Sequence, residues 1–172
     1  MAISEDGFRF AYRLYVHDED ASGGMQNQWR VGESLGFERH TTQKLSEELK
    51  NEGLLELLSF EGDVALTSFG TAAVMQALAD VDQGTVYFPP VAELIDDTPG
   101  GRQLITLDSV HHFIDSITVE AEKLLLDEDS RLELETGIAM LEQYLGDNPD
   151  RVAPLRDGLE KVCKLLSPDH PL

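Results

Sequence analysis

The sequence predicts a mainly α protein with one small β-hairpin, followed by a separate three-helix region. Three observations predict it. In the first eighty residues apolar side chains recur at helical spacing in three segments, and the pattern then changes to two short strand-like runs around Glu61-Gly62-Asp63. Residues 81–106 carry Tyr87-Phe88-Pro89-Pro90 and Thr98-Pro99-Gly100-Gly101, which oppose regular helix and predict a linker. From Leu107 onward three further helical patterns follow, which predict a helical domain over residues 107–172.

The first helix is predicted from Phe8, Ala11, Tyr12 and Tyr15, with Arg9 and Arg13 on another face. It ends at Asp18 to Gly24, where paired glycines and small polar residues favour a loop. A second helix over about Gln26–Leu35 is marked by Val31 and Leu35, and Gly36 suits the left-handed turn that stops it. A third over about Thr41–Asn51 carries Leu45 and Leu49, with Gly53 as its cap. Two short helices joined by Gly36-Phe37-Glu38-Arg39-His40 have helix-turn-helix spacing. Leu54–Phe60 and Val64–Thr67 then read as strands, and Thr67 is a good N-cap for a helix over Phe69–Ala79, where Ala73 and Ala77 permit close packing. The later helices are predicted at Asp108–Leu126, Ser130–Leu145 and Pro149–Leu166, broken at Asp127-Glu128-Asp129 and Gly146-Asp147-Asn148-Pro149.

The run from Thr41 to Glu56, TTQKLSEELKNEGLLE, resembles the recognition helix and exit strand of MarR-type and PadR-type regulators. Val64-Ala65-Leu66-Thr67-Ser68-Phe69-Gly70 is similar to the Leu-Thr, two residues, Gly signature that closes their wing. The resemblance covers residues 5–80 and implies a winged helix-turn-helix domain over 1–80; the Pro/Gly-containing stretch is then expected as a linker over 81–106 and the three later helical patterns as an acidic helical domain over 107–172. The stretch from Ala77-Leu78 through Thr85-Val86-Tyr87-Phe88-Pro89-Pro90 into the acidic tail is similar to a group of bacterial proteins that share this layout and have no assigned activity. That likeness implies architecture alone.

The formal charge of −20 runs against the basic faces that nucleic-acid-binding chains usually display. There are 6 Lys/Arg against 14 Asp/Glu through Asp80, and 7 against 19 beyond it. Within Gln26–Lys50, however, Arg30, Arg39, Lys44 and Lys50 balance Glu33, Glu38, Glu47 and Glu48, so this strip is locally neutral. A hydrophobic content of 41% is enough to fill a core. No apolar run approaches the roughly 18 residues of a membrane helix, and the start MAISEDGF lacks the blocks of a secretory signal, so a cytoplasmic protein is expected. The single cysteine, Cys163, falls on a leucine-rich helix and is expected to be a buried small hydrophobe.

Motifs for catalysis are missing: the chain has no Gly-rich phosphate loop, no Gly-x-Ser-x-Gly and no HExxH, so no catalytic residue and no cofactor is predicted. His111 and His112, with Asp108 and Asp115 a turn away, put two metal-capable groups on one helix face, but two ligands from one helix do not make a site. His17-Asp18-Glu19-Asp20 reads as a solvated helix end.

The resemblance implies that the third helix enters a DNA major groove N-terminus first. The residues it would present are Arg39, His40, Thr41, Thr42, Gln43 and Lys44, with Arg30 of the preceding helix on the phosphate backbone. Gln43 suits adenine, Lys44 phosphate or guanine, and Thr41 or Thr42 phosphate. The same residues also admit a purely structural account, in which Thr41 or Thr42 caps the helix, Gln43 and Lys44 are solvated and Arg39 pairs with a carboxylate. The predicted wing carries Glu61 and Asp63, where wings that touch DNA usually present Arg or Lys. In the tail, Leu124, Leu125, Leu132, Ile138, Leu141, Leu145, Leu155, Leu159, Val162 and Leu166 offer more apolar surface than three short helices bury among themselves, which points to a homodimer. The alternative is a bundle that packs on the first domain. The expected function is a dimeric DNA-binding transcriptional regulator; the alternative is a non-enzymatic module that binds protein on the same scaffold.

Overall fold

The computed structural model describes residues 3–20, 25–96, 98, 107–121, 126–147 and 152–166. Helix α1 (Glu5–Asp20) opens with Glu5 and Asp6, acidic side chains that favour a helix N-terminus. Phe8, Ala11, Tyr12 and Tyr15 are buried as their spacing predicts, and so are Phe10, Leu14 and Val16, because α1 is enclosed on more than one side. Phe8 stacks on Tyr12 with ring centroids 5.7 Å apart and meets the edge of Phe88 at 5.2 Å.

After α1 the structure departs from the expected helix over Gln26–Leu35. Gln26–Asn27 forms a short strand, β1, and helix α2 covers Gln28–Ser34. Asn27 both ends the strand and caps the helix, its side-chain oxygen accepting from the Trp29 amide at 3.2 Å. A two-residue strand has no periodicity to read, which is why it was invisible in the sequence. Helix α3 (Arg39–Asn51) starts two residues before Thr41; its N-cap is Glu38, without a side-chain capping bond, so neither threonine caps it. Gly36 (φ 75°) and Gly53 (φ 72°) hold the left-handed turns expected after the two helices.

Strands β2 (Leu55–Leu57) and β3 (Asp63–Leu66) form the predicted hairpin, with Leu55 opposite Leu66 and Leu57 opposite Val64. β1 pairs with the outer side of β3, giving a three-stranded antiparallel sheet in the order β1-β3-β2. Thr67 then caps helix α4 (Ser68–Ala79): its hydroxyl accepts from the Gly70 amide at 2.9 Å and donates to the Gly53 carbonyl at 2.7 Å. The Thr67 amide donates to the Leu54 carbonyl at 3.1 Å. The start of α4 is thereby locked to the exit of α3. A Cβ on Gly70 would run into the Leu54 carbonyl oxygen.

Helix α4 is buried almost all round, from Phe69 and Gly70 through Ala79, as an apolar helix without a polar face must be. The stretch predicted as a linker packs on its first turn, where Tyr87 meets the edge of Phe69 with ring centroids 5.1 Å apart. Phe88, Val91, Leu94 and Ile95 of this stretch are buried, and Ala92–Asp96 forms a short helix, α5. Its end is tied down by the Thr98 hydroxyl, which donates to the Leu94 carbonyl at 2.6 Å.

The remaining helices are α6 (Leu107–Ala121), α7 (Glu128–Asp147) and α8 (Val152–Leu166). α8 packs along both α7 and α4, burying Leu155, Leu159, Val162, Cys163 and Leu165 in the same core as α1 and α4. Arg156 fastens this contact, donating to the Asp80 carboxylate at 2.9 Å and the Gln83 side-chain oxygen at 3.1 Å. Gly158 lets α8 approach α7, since a Cβ there would lie 2.8 Å from Leu141 Cδ2. Of the predicted tail stripe, Leu141, Leu155, Leu159 and Val162 are buried, and Ile138, Leu145 and Leu166 are partly so. Leu132 is 63% exposed, and Leu124 and Leu125 lie outside the described residues. Overall the chain is mainly helical with a small antiparallel sheet. No helix among the described residues is long and apolar enough to cross a membrane.

Cys163 sits in the α8 contact, and desolvation by burial, with Glu160 adding repulsion, pushes its thiol up to about 12. The folded protein therefore keeps the thiol neutral where an unfolded chain would ionise it at the ordinary value of 9.0, so stability falls as pH rises from 9.0 toward about 12. The expected slope is up to about 1.4 kcal/mol per pH unit. It is read as the difference between the wild type and Cys163→Ala in urea unfolding at pH 8 and pH 10. Equal pH dependence in the two proteins would place the thiol in water.

Candidate nucleic-acid interface

The helical period decides which of the predicted residues reach the surface. With α3 starting at Arg39, positions 42, 45, 46 and 49 turn inward, and Arg39, His40, Gln43 and Lys44 are exposed, with Thr41 half-buried. Thr42 departs from the predicted set. It is 1% exposed, its hydroxyl donates to the Glu38 carbonyl at 3.1 Å, and its side chain fills the place where Gly32 lacks a Cβ. Thr42 thus serves the α2–α3 crossing and has no surface to offer a ligand.

Arg30 is exposed on α2, next to Trp29. Trp29 is a site residue that helical periodicity does not single out. The Arg39 guanidinium carbon lies 5.5 Å from the centroid of its ring, a cation–π contact that holds Arg39 at the entrance of α3. Trp29 also lies under the hairpin turn, where a Cβ on Gly62 would come within 2.6 Å of its Nε1. One side chain therefore props both the α3 N-terminus and the hairpin tip. Its position in the locally neutral strip, one residue before Arg30, was the available signal.

Carboxylates border this face. Glu33, Glu38 and Glu47 are exposed, and the Gln43 amide donates to Glu47 Oε1 at 2.9 Å. On the hairpin, Glu61 and Asp63 differ in role. The Asp63 carboxylate accepts from the Ser59 hydroxyl at 2.8 Å and from Asn27 Nδ2 at 3.3 Å, so it braces the turn. Glu61 is exposed. The tip is also anchored by the Gln28 backbone N–H, which donates to the Gly62 carbonyl at 2.8 Å.

Ser46, on the inner side of α3, is buried and its hydroxyl has no hydrogen-bond partner. A buried unsatisfied hydroxyl costs about 1–3 kcal/mol, and alanine is the better helix former. Ser46→Ala is expected to leave stability unchanged or raise it by about 1 kcal/mol in thermal denaturation. A loss above about 1 kcal/mol would mean that the hydroxyl is hydrogen-bonded in solution.

On α6, His111, His112 and Asp115 are exposed, and the Ser116 hydroxyl lies 3.4 Å from His112 Nδ1. The side chains of Asp108 and of residues 17–20 lie outside the described residues. Among the described residues no group of three His, Cys, Asp or Glu side chains converges as a metal site would require.

The described residues form a mainly helical chain with a small antiparallel sheet, in which Arg30 on α2 and Arg39, His40, Gln43 and Lys44 at the start of α3 are exposed. Comparison with known proteins finds no matching family model, and no curated protein or solved structure of significant similarity.

Proposed function

We propose that the chain is a winged-helix transcriptional regulator that binds double-stranded DNA in the cytoplasm as a homodimer, with α3 as its recognition helix. One observation carries this reading: Arg39, His40, Gln43 and Lys44 are exposed on the first turns of α3, and Arg30 is exposed on the preceding helix α2. This is the end of a helix from which side chains reach base edges in the major groove. Gln43 pairs with adenine, Lys44 with guanine or phosphate, and Arg30 and Thr41 with the backbone. Arg39 is preset by its stack on Trp29. The exposed apolar side chains Val119 on α6 and Leu132 and Met140 on α7 support a dimer contact in the tail. The reading names no catalytic residue and no cofactor.

The test is binding of the full-length protein to fluorescent genomic DNA fragments at low and moderate salt, including the region upstream of its own gene, with sedimentation for the oligomeric state. Tight, selective and salt-sensitive binding is expected. Absence of binding even at low salt would overturn it. That outcome would favour the second reading, a winged-helix scaffold that binds protein instead, which the exposed Glu61 on the hairpin supports.

A further inference from the structure

We infer that the β2–β3 hairpin tip is a protein-docking knob that inserts into an apolar pocket rimmed by Lys and Arg on a partner protein. Phe60 at the apex is fully exposed (108%), and Leu57 and Leu58 are 44% and 46% exposed. Successive residues of an extended chain point to opposite faces, so Leu57 and Leu58 flank the two sides of the hairpin with Phe60 at its end. An element apolar on both faces and at its apex is covered fully only by a concave partner.

The tip is also rigidly presented. The Leu58 amide donates to the Asp63 carbonyl at 2.7 Å, and the Gly62 carbonyl and Asp63 carboxylate are held by Gln28, Asn27 and Ser59. Little conformational freedom is left to lose on docking, which is the condition for an aromatic anchor to contribute strongly. Charge selects the occupant. Glu56 and Glu61 are exposed at the base and tip, in a chain of formal charge −20. These groups repel phosphates, anionic lipid and a second copy of the chain, and complement a cationic rim. This inference holds whether or not α3 binds DNA.

The experiment replaces Phe60 by the photo-crosslinker benzoylphenylalanine in the full-length protein, irradiates the cells that make it, and maps the adduct by mass spectrometry. The same probe at Val86, an equally apolar and 74% exposed position elsewhere, is the reference. The expected result is one polypeptide adduct specific to position 60, mapped to an apolar segment flanked by Lys or Arg. Its yield should fall at least about tenfold in Glu56→Lys/Glu61→Lys and in Leu57→Ser/Leu58→Ser, each shown to retain the wild-type unfolding midpoint. The inference is overturned by the absence of an adduct, by the same adducts at Val86, by an adduct to DNA or to a second copy, or by an adduct insensitive to the charge reversals.

Discussion

Gly70→Ala is expected to cost about 3 kcal/mol or more, a large part of the roughly 5–15 kcal/mol that holds a domain of this size together. The added Cβ would meet the Leu54 carbonyl oxygen, with the Leu54 carbonyl carbon at 2.8 Å and Cα at 3.1 Å. These are backbone atoms and cannot swing aside. Relief would require α4 to withdraw from the α3 exit, breaking the Thr67 bonds to Gly70 and Gly53 and opening the base of the hairpin. Gly36→Ala separates this steric effect from simple loss of glycine. A Cβ on Gly36 would meet nothing within 4 Å, but the φ there is +75°, so its substitution carries only the left-handed penalty of about 1–2 kcal/mol. Urea unfolding of both variants checks the contrast. A cost below about 1 kcal/mol for Gly70→Ala would contradict the close approach of α4 to Leu54.

The charge reversal Arg39→Glu with Lys44→Glu is expected to weaken DNA binding on the order of 100-fold near 0.1 M salt and to make the salt dependence shallower by about two units of slope. The physical reason is counterion release: each cation removed from a phosphate contact removes about 0.9 from the slope, and the new carboxylates add repulsion. Both side chains are exposed, so the fold should lose little beyond the Arg39–Trp29 contact, about 0.5–1 kcal/mol. A control for total charge reverses Arg131 and Lys164, exposed on α7 and α8, by the same amount. If the control weakens binding as much as the α3 variant, the effect is the field of the whole acidic protein and α3 is not the contact. Affinity that survives the α3 variant intact would remove Arg39 and Lys44 from the interface.

Much of the first eighty residues was legible because local rules decide it. Gly36 and Gly53 marked turns that need a positive φ, Thr67 marked an N-cap, and the change from period 3.6 to short strand-like runs marked the hairpin. What escaped were features with no local signature. β1 exists only because β3 has an open side to pair with. Thr42 reads as a polar residue of a helix N-terminus, yet the crossing of α2 over α3 at Gly32 turns it inward. In the Pro-containing stretch after α4, proline and glycine report on helix propensity alone, whereas the burial of Phe88 depends on its meeting Phe8 across the core.

The candidate site divides the same way. Arg30, Arg39, His40, Gln43 and Lys44 were named from sequence, since charge and helical position are written in the chain. The double role of Trp29, the bracing of Asp63 and the exposure of Phe60 were not, because each depends on residues distant along the chain meeting at the hairpin. The sequence by itself determined where helices and turns form and which segments are apolar, since these follow from backbone dihedral preferences and short-range periodicity. Only the tertiary structure decided that Thr42 turns inward against Gly32, that α8 covers α4, and that the hairpin presents an apolar tip. Burial is a property of contacts between separated segments, and no residue carries it alone.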